Sequence, residues 1–94
     1  MPTASQISDL VRAGILEVLP SARISRVVVE DDTDPDDEKG SIPVIVIFSK
    51  LPPLRGENFL ALQDAVQTRL FQAGETRYPF LRYLEEKDLR TAAS

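Results

Sequence analysis

The residues best suited to chemistry lie in one run. Between Glu30 and Glu38, seven of nine residues carry a carboxylate, interrupted only by Thr33 and Pro35. Carboxylate oxygens are the ordinary ligands of Ca²⁺ and Mg²⁺, and several held close together raise one another's pKa and attract divalent cations. Asp31, Asp32, Asp34 and Asp36 are the candidate ligands. A tuned calcium loop asks for more: oxygens at positions one, three and five, glycine at six and a bidentate glutamate at twelve. Counted from Asp32, the first three oxygens fit, but the sixth position is Asp37 and the twelfth is Pro43. The template fails. The run therefore reads first as an acidic, mobile hairpin loop over 31–41, whose charge discourages aggregation of apolar strands. A divalent-metal-responsive regulator using those four aspartates is the alternative, and no cofactor is expected.

The stretch carrying Val27, Val28, Val29, Asp31, Asp32 and Asp34 resembles the strand-then-aspartates segment of family-2-like glycosyltransferases with the GT-A fold. That resemblance implies carboxylates contacting a nucleotide and its metal. It spans under a tenth of the chain, however, and the implied fold is a doubly wound domain far longer than 94 residues. The next strand, IPVIVIF, has no carboxylate to complete such a site.

Catalysis without a partner has little to draw on. The chain contains no histidine and no cysteine, which removes the usual general base, the commonest metal ligand, imidazole-dependent triads, thiolate metal sites and disulfides. A non-enzyme is expected. A second candidate constellation lies near the C-terminus, where Arg77, Arg82, Lys87 and Arg90 interleave with Tyr78, Phe80 and Tyr83. Aromatic platforms beside cations hold single-stranded nucleic acid in many proteins. Against that stands a sequence pI near 4.7, which lacks the basic footprint of nucleic-acid binders. Core aromatics alternating with solvated arginines, with Phe80 buried, is the favoured reading, and nucleic-acid binding the lesser alternative.

The elements that must position these groups follow from periodicity. Ile7, Leu10, Val11, Ile15, Val18 and Leu19 form a helical stripe, so a helix is predicted over roughly 5–19, capped by Thr3 or Ser5 and stopped by Pro20. Gly14 lies inside the apolar face, where an interior glycine costs up to ~1 kcal/mol against alanine; a close neighbouring element would account for it. RISRVVVED and SIPVIVIFS are β-branched runs bounded by turn formers, hence strands. In the second, Ile42, Val44, Val46 and Phe48 point one way and Ile45 and Ile47 the other, so both faces are apolar and the strand belongs in the sheet centre. A second helix is predicted over 57–73, with Phe59, Leu62, Ala65, Val66, Leu70 and Ala73 inward and Gly74 just past its end. A third strand is expected near 79–84, followed by a polar helical turn from Glu85. Two strands alone are marginal in water, and the 48–79 segment has the length of a parallel crossover.

The chain is therefore read as one α+β domain over 1–94 with a disordered tail over 90–94, two helices packed on a small mixed sheet in the order α-β-β-α-β with a short C-terminal helical turn; α-β-β-α-α is the alternative. With both helices on one face, the other needs cover. A self-associating, non-catalytic interaction module is the expected function, through Ile45 and Ile47 on the sheet and through Leu60 and Phe71, a second apolar stripe on the second helix that reads first as a wide core contact and second as a partner surface. No apolar run reaches the ~20 residues that span a bilayer. No signal peptide is evident, so a cytoplasmic homo-oligomer, or partner of another protein, is expected.

Overall fold

The computed structural model describes residues 2–30 and 40–88. Its elements are helix α1 (Ala4–Val18), strands β1 (Ile24–Val29) and β2 (Ser41–Phe48), helix α2 (Gly56–Gln72) and strand β3 (Tyr78–Glu85). Residues 86–88 are helical, giving α-β-β-α-β with a terminal helical turn, and Tyr78–Glu85 forms a strand and not part of a third helix. The acidic candidates Asp31, Asp32, Asp34 and Asp36 and the tail 90–94 lie outside the described residues.

Helix α1 begins where Thr3 and Gln6 close a capping box. The Gln6 amide donates to the Thr3 hydroxyl at 3.2 Å, and the Thr3 amide donates to the Gln6 side chain at 2.8 Å. Each satisfies an amide that the first helical turn leaves without a partner. Helix α2 ends in a Schellman turn: the Glu75 amide reaches the Leu70 carbonyl at 2.9 Å and the Gly74 amide the Phe71 carbonyl at 3.0 Å. That turn requires the left-handed backbone of Gly74, φ 95°.

The sheet order is β1-β2-β3, with β1 antiparallel and β3 parallel to β2. The parallel pair forces a crossover, and α2 supplies it. Ile42, Val44, Val46 and Phe48 on one face of β2 merge with Ile7, Val11 and Ile15 of α1 and Leu62, Val66 and Leu70 of α2 in a single buried cluster. Both helices therefore cover the same face. Of the six residues expected inward on α2, Leu62, Val66 and Leu70 are buried, whereas Phe59 and Ala73 are exposed and Ala65 is half-buried.

Two irregularities aim the strands. The β1–β2 register slips between Ile24 and Arg26, so that Ser25 is an extra residue. This bulge lets Ile24 and Val27, three apart, both pack on the core, and it keeps Arg26 out. At the far edge, the Tyr78 amide donates to the Gly40 carbonyl at 2.7 Å, so the following residue, Pro79, turns its nitrogen away from β2. Proline has no N–H to leave unmet there, and Gln63 of α2 donates to the Pro79 carbonyl at 2.8 Å.

Candidate interaction surface

Strand alternation divides the side chains of the sheet between a covered and an uncovered face. With Val27 and Val29 on the core, β1 turns Arg26 and Val28 to the uncovered side, and Glu30, whose amide donates to the Pro43 carbonyl at 3.0 Å, continues that series. Strand β2 adds Pro43, Ile45 and Ile47. Strand β3, in register with it, adds Tyr78, Phe80, Arg82 and Leu84. Across the strands these form rows: Glu30, Pro43 and Phe80; Val28, Ile45 and Arg82; Arg26, Ile47 and Leu84. Neither α1 nor α2, which share the other face, covers this one, and its centre is apolar.

Burial varies sharply across it. Phe80 is 58% and Tyr78 47% exposed; Val28, Ile45 and Leu84 are half-buried. Two expectations are corrected here. Phe80 is not a core aromatic, because the register places Leu81 against Val44 and turns its neighbour outward. Ile47 is only 2% exposed; flanked by Arg26 and Leu84 in its row, it supports the surface without offering itself to a partner. Ile45 remains available.

The second expected surface is also outward. Leu60 is 75% and Phe71 49% exposed, and eleven residues, about three turns, bring them to one side of α2. A broad core contact by that stripe is thereby ruled out. An apolar cleft between Leu51, Pro53, Phe59, Leu81 and Tyr83 opens beside the β3 edge.

The C-terminal cations and aromatics are dispersed. Tyr83 faces the core, its ring centroid 5.6 Å from Phe59 and 6.2 Å from Phe48, and burial pushes its hydroxyl up to about 12. Arg77 is committed to Glu75, whose side chain is fully buried. The guanidinium meets the two carboxylate oxygens at 2.9 and 3.1 Å, and the Arg77 amide adds a third bond at 3.0 Å. These bonds outweigh desolvation and hold the Glu75 carboxyl below the usual range. Lys87 pairs with Glu85 at 3.3 Å. Glu85 also accepts the Leu51 amide at 2.9 Å, which lowers its pKa and ties the end of β3 to the β2–α2 connection. Arg90 lies outside the described residues. Of the described aromatics and arginines in that constellation, Tyr78, Phe80 and Arg82 share the uncovered face.

Among the described residues no group of three or more His, Cys, Asp or Glu could hold a metal ion, and no helix is long and apolar enough to cross a membrane. The sequence allows Arg77 to pair with Glu75, Glu85 or Glu86, and the structure selects Glu75; what the sequence did not show is that Glu75 is buried. Sequence reasoning also missed the placement of Arg26 and Glu30 on either side of Val28, a pattern of i−2 and i+2 that only strand parity reveals. No protein-family model, no curated protein and no solved structure matches the chain.

Proposed function

We propose that this protein is a small non-catalytic interaction module that self-associates through the uncovered face of its sheet. One observation carries this reading: Phe80 stands 58% exposed beside Pro43 and within one row of Ile45 and Val28, an apolar centre rimmed by charge. An apolar patch of that layout is the usual mark of a protein-binding surface. The missing imidazole and thiol groups agree with a binding role. An isologous contact, in which the same patch serves both copies, is the commonest way for a small domain to cover such a face.

Light scattering coupled to gel filtration, run over rising protein concentration, tests the reading. The mass should climb from monomer towards dimer, and Phe80→Asp should hold it at monomer with the circular dichroism spectrum unchanged. A wild-type chain that stays monomeric at the highest soluble concentration rejects self-association.

A further inference from the structure

The uncovered face is its own complement when one copy is turned end for end. Within each strand column, the residues two before and two after the middle row are chemical matches. Arg26 and Glu30 flank Val28, Pro43 and Ile47 flank Ile45, and Phe80 and Leu84 flank Arg82. We infer that two copies stack these faces about a two-fold axis crossing the Val28–Ile45 row, each copy's Arg26 set against the partner's Glu30. This deepens the self-association reading and rests on it.

The operation is physically sound. The axis lies midway between the two sheets, parallel to their planes and perpendicular to the strands, so each β1 faces the partner's β1 in the opposite direction. Stacked sheets sit ~10 Å apart, a gap that an arginine and a glutamate reaching from opposite sides can bridge. Both side chains are exposed in the single copy, so neither must abandon a buried partner. Apolar contacts fall on apolar contacts: Phe80 meets the partner's Leu84, and the half-buried Val28 and Ile45 of the middle row meet their own copies. The other obvious isologous stacking, with the axis along the strands, sets Glu30 over the partner's Phe80 and Arg26 over the partner's Leu84, and forfeits the charge match. One feature opposes the chosen axis. Arg82, on the middle row, comes opposite the partner's Arg82, but β3 is the sheet edge and both side chains, exposed in the single copy, can turn outward to water that screens them.

Strands of six to eight residues in a three-strand sheet give a patch of roughly 15 by 25 Å. That is below the size of standard stable interfaces and places the dimer in the weak, transient class. Because the rim charges choose among stackings, they should govern the geometry.

A charge-exchange experiment on the full chain decides the matter, with sedimentation velocity from about 5 to 500 μM, the range a small interface demands. R26E carries two acidic groups in that column and E30R two basic ones. Each alone should weaken dimerisation roughly tenfold or more, while an equimolar mixture of the two should restore it as a heterodimer. Circular dichroism confirms that each variant is folded; R26Q and E30Q, which abolish the pair without repulsion, serve if either is not. Single variants that dimerise like wild type, or a mixture that stays monomeric, overturn the two-fold while leaving self-association standing. A monomeric wild type removes both.

Discussion

Gly14 of α1 lies against Val66 of α2 so closely that a β-carbon on the glycine would stand 3.0 Å from the valine Cγ2, 3.1 Å from its Cα and 3.2 Å from its amide nitrogen. Two of those atoms are backbone and cannot rotate aside. The glycine is therefore the crossing point of the two helices, which accounts for its place on the apolar stripe.

Gly14→Ala should destabilise the fold by about 1–3 kcal/mol through overpacking, despite the ~1 kcal/mol that alanine gains in helix propensity. Gly56→Ala is the control, since nothing lies within 4 Å of a β-carbon there; it should be neutral or mildly stabilising. Urea denaturation of both measures the contrast.

Glu75 ties stability to pH. Its folded pKa lies below the ordinary 4.5, so the native state holds fewer protons than the unfolded chain as pH drops through that value. The stabilisation is complete above pH 4.5 and fades as pH falls towards and through the lowered folded pKa. Glu75→Gln should flatten that part of the stability profile. Arg77→Met, which leaves the carboxylate buried without its guanidinium, should cost about 3 kcal/mol at neutral pH. Thermal melts from pH 2.5 to 7 measure both effects.

The two outward apolar surfaces make opposite predictions. Leu60→Gln with Phe71→Gln should leave the dimerisation constant within about twofold of wild type, because the proposed association uses the sheet. Loss of the dimer in that variant, measured by sedimentation, would transfer the interface to α2.

Arg82 is the one residue on the uncovered face that should work against assembly. Arg82→Ser should tighten the dimer by a few fold, with the largest gain at low salt where screening is least. An unchanged or weaker constant contradicts the proposed axis.

Much of the architecture could be read from spacing alone. The stripe from Ile7 to Leu19 gave α1 to within a residue, and the shared parity of Tyr78, Phe80 and Leu84 against Leu81 and Tyr83 on β3 agreed with the register found. What spacing left open was which parity faces inward. Ile42, Val44, Val46 and Phe48 are chemically much like Ile45 and Ile47, and only the docking of both helices on one side distinguishes them. The same is true of Phe80. The bulge at Ser25 was equally hidden, because an extra strand residue leaves no mark in composition. The buried Glu75 broke the rule that carboxylates stay in water, and a rule about averages cannot flag its own exception.

Pro79 has one more effect. A three-stranded sheet with a free margin is ordinarily an invitation to lengthen sideways, chain upon chain, until fibres form. Here the first outward position of that margin has no hydrogen to give, and its oxygen is already occupied by Gln63. Growth from the start of the β3 margin is discouraged, and in the proposed dimer stacking closes on itself after two copies. Concentrated solutions should hold discrete pairs and stay clear, with no thioflavin signal.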